Sequence, residues 1–286
     1  MSPELRSALA KRLRAPVLEA KPIAGGDINQ AFEVSLRDGT RVFVKTHPNP
    51  PGAMFGAEAR GLRWLEEADA IRIPRVIAVS DVQPAYLALE LLTPSKRRAN
   101  FDETLGLRLA ALHRYGAPSF GLDHDNFIGR LAQSNAVVDD WASFYWTSRL
   151  EPQLRLAADR GLIDASTRAS FEALRLALPE RIGPEEPPSR LHGDLWGGNL
   201  HVDELGEPCL IDPAVYGGHR EIDLAMMRLF GGFSERVFSA YDEAWPLAPG
   251  TAERVPLYQL YPLLVHVNLF GGSYVSPVRR ALCACL

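Results

Sequence analysis

Ten residues near two-thirds of the way along the chain, Leu191 to Leu200 (LHGDLWGGNL), constrain it more than any other stretch. Asp194 is followed five positions later by Asn199, across a loop loosened by Gly193, Gly197 and Gly198. A short apolar run, Cys209 to Ile211, then ends on Asp212. The turn-forming Asp203 to Gly206 lets that run pair with Leu200 to Val202 as a hairpin. The offsets match the loop used for phosphoryl transfer. There an Asp takes the proton of the attacking hydroxyl, while the Asn and a second Asp at a strand end hold the magnesium shared with the phosphates. A His-Gly-Asp turn alone is ordinary turn chemistry, so the weight rests on the set of three. A zinc hydrolase built on His192, Asp194 and His201 is the competing reading, but it leaves Asn199 and Asp212 without a role.

With 286 residues the chain is long enough for two lobes, and 47% hydrophobic with 23% charged residues is ordinary for a globular protein. A formal charge of -4 supplies no basic field for nucleic acid. The cluster Lys96, Arg97 and Arg98 reads as a solvated face or substrate rim. Three cysteines, two of them at 283 and 285, build no disulfide framework and fit a reducing cytoplasm. The N-terminal residues interleave Arg6, Lys11, Arg12 and Arg14 with Leu and Ala, which is not a signal peptide. The most apolar stretch, Leu257 to Phe270, is interrupted by Gln259, Pro262, His266 and Asn268, so no membrane span is expected and the protein should be soluble.

From the N-terminus, Leu5, Leu9 and Leu13 predict a short amphipathic helix, and a hairpin series follows. Gly25 and Gly26 form a turn whose backbone N–H groups can approach phosphates, although paired glycines beside a hairpin are usually turn chemistry only. The strand Arg41 to Lys45 ends on a lysine placed to meet phosphates, and Glu58, on a helix predicted from Met54 to Ala68, can pair with it. Strands at Val76 to Val79 and Tyr86 to Leu92 precede Thr93, Pro94 and Ser95, a lobe boundary. From Asp102 the period turns helical. Leu105, Leu109 and Leu112 mark one helix, Trp141 to Ala158 a second, and Phe171, Leu174 and Leu178 a third. Three more are expected over Glu221 to Phe230, Ser234 to Trp245 and Val255 to Phe270.

The His192 to Asn199 block with Trp196, the run Asp212 to Asp223 (DPAVYGGHREID), Gly25 to Asn29 (GGDIN), the strand Val42 to Lys45 and the helix around Glu58 together resemble the fructosamine kinase family, also called ketosamine kinases. This family is similar in fold to aminoglycoside phosphotransferases and choline kinases. The resemblance covers nearly the whole chain. It implies a two-lobed, protein-kinase-like α+β fold, with a small antiparallel-sheet lobe over 1–93 that binds nucleotide and a larger, mainly helical lobe over 94–286 that carries the catalytic hairpin. ATP and magnesium would lie in the cleft between them.

The implied activity is ATP-dependent phosphorylation of a sugar hydroxyl on a free or protein-bound ketosamine, after which the adduct becomes unstable and releases the amine. By matched position Asp194 is the base, Asn199 and Asp212 are the magnesium ligands, Lys45 binds phosphate and Glu58 is its partner. Gly25 and Gly26 approach the phosphates, and Glu90 and Leu92 offer backbone groups to adenine. Trp196, two residues beyond the base, is either a platform for the substrate or a plug that shapes its loop. Some members carry a redox-active Cys in the Gly-rich loop, where this chain has Asp27. The rival readings are an aminoglycoside- or choline-type kinase of the same fold, and a nucleotide-binding pseudokinase scaffold. The presence of Lys45, Asp194, Asn199 and Asp212 argues against the scaffold.

Overall fold

The computed structural model describes residues 1–23 and 29–286, so the Gly25–Gly26 turn lies outside the described residues. The chain divides into two units, Met1–Phe101 with His201–Asp212, and Asp102–Leu200 with Pro213–Leu286.

In the first unit, α1 (Pro3–Leu13) starts where Ser2 Oγ accepts the Leu5 N–H at 3.2 Å, with Pro3 at its first turn. Strands β1 (Val17–Ile23), β2 (Gln30–Leu36) and β3 (Arg41–Thr46), then α2 (Met54–Glu66), β4 (Val76–Ser80) and β5 (Tyr86–Glu90) follow. The strands form one antiparallel sheet in the order β1-β2-β3-β5-β4. Strand alternation decides what each face buries. Val34, Val42, Val44 and Ala88 pack with Leu5 and Leu9 in one core cluster. The intervening positions of β3 include Lys45, which therefore leaves the sheet on the opposite face. Helix α2 packs on β4 and β5 and buries Phe55, Leu62 and Leu65. Each such side chain contributes about 2 kcal/mol by burial, and Leu62→Ala would cost roughly 2–5 kcal/mol.

The expected hairpin is present, pairing Leu200–Val202 with Pro208–Leu210. Its bonds explain why residues 201–212 group with the first unit and why the division falls after Phe101 and not at 93. Leu210 N–H donates to the Arg72 carbonyl at 2.9 Å, and Ser95 and Arg98 N–H donate to the carbonyls of Asp203 and Gly206 at 3.3 and 3.2 Å. Arg98 also pairs with Glu207 at 2.6 Å.

The second unit is mainly helical: α3 (Phe101–Tyr115), α4 (Trp141–Phe144), α5 (Glu151–Asp159), α6 (Ala165–Arg181), α7 (Glu221–Phe230), α8 (Glu235–Ala244), α9 (Thr251–Phe270) and α10 (Val275–Cys285). Its core gathers Trp141, Phe144, Phe171, Leu174, Tyr258 and Leu264. The single helix expected from Trp141 to Ala158 is interrupted by a π-helical turn over Tyr145–Leu150. Pro152, in the first turn of α5, has no N–H to continue the ladder, which is the physical reason for a break at this place. Two short ribbons, Asn126–Ile128 with Leu131–Gln133 and Ser189–Leu191 with Tyr216–Gly218, bind the loops to the helices. Among the described residues no helix is long and apolar enough to cross a membrane.

Candidate functional site

Within the first unit, Lys45 Nζ donates to Glu58 Oε1 at 2.8 Å and also to Asp212 Oδ1. The strand and the helix that sequence periodicity identified thus bring their charged residues together, and the hairpin end supplies the third. The side chains of Lys45 and Glu58 are only 9% and 12% exposed, whereas Asp212 is 41% exposed. Burial pulls the ammonium's pKa down, but the two carboxylates override it and hold Lys45 above its ordinary value. Burial raises the Glu58 carboxyl, opposed by Lys45 and reinforced by the Asp212 charge. Asp212 itself sits at φ 55°, in the left-handed region that non-glycine residues seldom occupy. Such strain persists only where the surroundings over-determine it, and it marks functional positions.

At the end of β5, the Glu90 N–H donates to the Arg75 carbonyl at 3.0 Å, and the Glu90 side chain pairs with Arg72 at 2.8 Å. Leu92 follows, half-buried and outside regular secondary structure.

Within the second unit the loop from His192 to Asn199 is held by its backbone. Asn199 Nδ2 donates to the Asp194 carbonyl at 2.8 Å and to Asp194 Oδ2 at 3.2 Å, closing the five-residue spacing into a ring. The N–H groups of His192 and Gly193 both donate to the Asp223 carboxylate, at 2.8 and 2.9 Å, and His113 Nε2 pairs with it at 3.2 Å. Burial alone would push the Asp223 carboxyl up, but its contacts with His113 and His192 hold it below the usual carboxylate range. Gly193 adopts φ 81°, and a Cβ there would lie 2.1 Å from the Ala214 carbonyl oxygen, so only glycine fits. His192 is fully buried, and its Nδ1 accepts the Asp194 N–H at 3.3 Å.

His113 was not singled out from the sequence, and Asp223 entered only as the end of the run Asp212 to Asp223, with no role of its own. The available signal was an acid between Ile222 and Leu224 in a helix otherwise rich in apolar residues, where a carboxylate needs a reason to be.

Trp196 is 42% exposed and meets Phe230 edge-on, with centroids 6.5 Å apart at 75°. Its ring occupies the space a side chain at 198 would need, 2.3 Å from an added Cβ on Gly198. The ring therefore crowds the loop at Gly198 while the residue stays partly open to solvent.

Among the described residues no group of three or more His, Cys, Asp and Glu is placed to hold a metal. This overturns the zinc reading on His192, Asp194 and His201. Asp212 in the first unit and Asn199 in the second each carry a side-chain oxygen, the donor type that hard cations prefer.

The sequence profile of the fructosamine kinase family matches residues 1–286. The chain belongs to the fructosamine kinase family. As a member it is a phosphotransferase with a hydroxyl acceptor. It is 39% identical over 276 residues to a probable ketoamine kinase of Lactiplantibacillus plantarum, covering 96% of each chain. A crystal structure of a candidate fructosamine-3-kinase from Thermobifida fusca superimposes with a TM-score of 0.92 at 37% identity, covering 100% of this chain and 99% of that one. The gentamicin–APH(2″)-IIa complex matches with a TM-score of 0.65 at 15% identity, over 100% of this chain and 96% of that one, a likeness of fold alone. The fold of this fructosamine kinase family member is thus the kinase-like α+β fold, with a small antiparallel sheet in one unit and a helical second unit.

Proposed function

We propose that the chain uses ATP and magnesium to phosphorylate a sugar hydroxyl of a ketosamine, a fructosamine or ribulosamine adduct of an amine, and so initiates removal of the adduct in the cytoplasm. The observation that carries this reading is the closed Asp194–Asn199 ring, whose backbone is fixed by the buried Asp223 carboxylate. It comes in a chain that matches the fructosamine kinase profile throughout.

The first unit is assigned to the nucleotide. Lys45, kept cationic by Glu58 and Asp212, neutralises phosphate charge, and Glu58 orients it. Gly25 and Gly26, which lie outside the described residues, are assigned to the phosphates on the family resemblance alone. Glu90 and Leu92 face adenine with backbone groups, Glu90 through its carbonyl because its N–H is bonded to Arg75. Asp212 is assigned as a magnesium ligand, as is Asn199 of the second unit, and the ion would supply neutralisation of charge on the phosphates.

The second unit is assigned to the acceptor. Asp194 accepts the proton of the sugar hydroxyl as that oxygen attacks the γ-phosphorus. The bond from the γ-phosphorus to its bridging oxygen breaks, ADP leaves with the electron pair, and the products are the sugar phosphate and ADP. Trp196 offers its open face to the sugar or its ammonium.

Magnesium-ATP turnover against ribulosyl-lysine, fructosyl-lysine, an aminoglycoside and choline tests the reading. The ketosamines should be phosphorylated with the highest kcat/KM. Turnover of the aminoglycoside or choline alone would move the enzyme to that acceptor class, and nucleotide binding without turnover of any acceptor would leave a scaffold.

A further inference from the structure

Beyond Asp194 and Trp196 the second unit carries an unbroken run of rings. Trp196 meets Phe230 at 6.5 Å between centroids, Phe230 meets His266 at 4.6 Å, and His266 meets Phe270 at 5.3 Å and Tyr274 at 5.0 Å. Two helix ends build it. Phe230 is the last residue of α7, His266 and Phe270 stand one turn apart at the end of α9, and Tyr274 belongs to the 3-10 turn that follows. Trp196, Phe230 and Phe270 are 42%, 39% and 51% exposed. Single exposed apolar residues are ordinary, but a contiguous row marks an interaction surface. The row starts two residues from the proposed base, which sets what can lie along it.

Resting on the acceptor reading above, we propose that this strip docks the peptide that carries the ketosamine, so that the enzyme prefers a peptide-borne adduct with an apolar residue beside the modified lysine. The order of groups along such a substrate matches the order of rings. Outward from the reacting hydroxyl come the sugar, the secondary ammonium, four methylenes of the lysine and then the peptide backbone. Trp196 and Phe230 suit the sugar's C–H face and the cation. Phe270 and Tyr274, farther along, suit the lysine stem and the neighbouring side chain. An adduct of a small free amine ends before them and leaves them in water.

Charge at the outer end points the same way. Arg130 and Arg160, both exposed, donate to the carbonyls of Leu269 and Asn268 at 3.2 and 2.7 Å, so the surroundings of Phe270 are basic. A flanking Asp or Glu is accommodated there and a flanking Lys or Arg is disfavoured.

The test compares kcat/KM for a ribulosylated peptide, with Leu next to the modified lysine, against that for a ribulosylated small amine. Wild-type enzyme should favour the peptide. Phe270→Ala and Tyr274→Ala should each lower the peptide-to-amine ratio by about tenfold, and Phe270→Trp should restore it. Thermal melts identify any variant that loses its fold, and the Phe270→Trp comparison decides the matter in that case. A ratio that does not move, equal losses on both substrates, or a wild type without preference overturns the proposal while leaving the acceptor reading in place. A wild-type dimer in sedimentation that Phe270→Ala dissociates, with the ratio unchanged, assigns the strip to a second copy of the chain and also overturns it. Absence of turnover on either ketosamine sinks the acceptor reading and this one together.

Discussion

The two sets of charged residues assigned to catalysis are held by opposite means. In the first unit three side chains satisfy one another: an ammonium is shared by two carboxylates, on elements whose positions come from the sheet and α2. In the second unit the carboxylate of Asp223 grips backbone N–H groups, and Asp194, the proposed base, is placed by a loop that has little freedom left. The difference separates two jobs. A phosphate needs a full charge nearby, which a buried ion pair can store, whereas a proton acceptor needs a direction, which backbone hydrogen bonds supply. Substitutions in the first set should read out as lost charge, and those in the second as lost chemistry or lost geometry.

The largest effect is expected at Asp194. Asp194→Asn keeps the shape and an acceptor oxygen for Asn199 but removes the proton acceptor. Its kcat should fall by on the order of 10²- to 10⁴-fold while KM for ATP stays near wild type. Single-turnover kinetics with a ketosamine check this, and a variant that keeps most of its kcat takes the base away from Asp194.

Lys45→Met comes next and tests the stored charge. It should lower kcat/KM for ATP by about 10²-fold and, by stranding a buried carboxylate, cost on the order of 3 kcal/mol of stability. Adding Glu58→Gln should return most of the lost stability and none of the activity. Recovery of both would show that Lys45 serves the fold and not the phosphates. Because the Lys45 pKa is raised, its contribution to stability is complete below the unfolded value, about 10.4, and is lost only as pH rises through the higher folded value. Melting temperatures between pH 6 and 9 should therefore show no titration from it.

Asp223→Asn addresses the second set through geometry. A neutral amide can accept from only part of the N–H and His113 group, so kcat should drop about tenfold and stability by about 2 kcal/mol. The folded Asp223 carboxyl titrates below its unfolded value, so its contribution is present above about pH 4 and is lost as pH falls through the folded pKa. Denaturant melts of wild type and variant should differ most near neutrality and converge in acid. A constant gap down to pH 3 would remove the ionised carboxylate from the account.

These contrasts track what the amino-acid sequence discloses. Lys45 and Glu58 lie on elements with clear periods of 2 and 3.6, and Asp194 with Asn199 falls within a six-residue window, so each could be named from local pattern alone. For Asp223 the local pattern offers only an acid in an apolar helix and not its role, because its partners His192 and Gly193 are some thirty residues away and no period connects them. Strand β1 was overlooked because it is an edge strand, with Glu19 and Lys21 exposed and hardly any apolar alternation. Helix α10 was legible, since Val275, Val278, Leu282 and Cys285 fall at helical spacing, but Pro277 masked it. A proline in the first turn costs no hydrogen bond, so the helix forms around it.

The smallest effect is expected from oxidation, and here the two units should not differ. Cys209 lies in the hairpin strand three residues before Asp212 and is fully buried, where loss of solvation pushes its thiol up to about 12 despite the nearby Arg72. At neutral pH the reactive thiolate is then on the order of one molecule in ten thousand or fewer. In the second unit Cys285 is buried, with its thiol pushed up to about 11, while Cys283 is exposed on α10. Neither belongs to the residues assigned to ATP or to the acceptor. Mild peroxide should leave initial rates unchanged while intact-mass and peptide analysis locate oxidation at Cys283 first. A loss of activity that dithiothreitol restores, with Cys209 as the modified residue, would show that the hairpin opens far enough to expose its strand. The stored-charge half of the comparison would then rest on a far less rigid support than its buried ion pair implies.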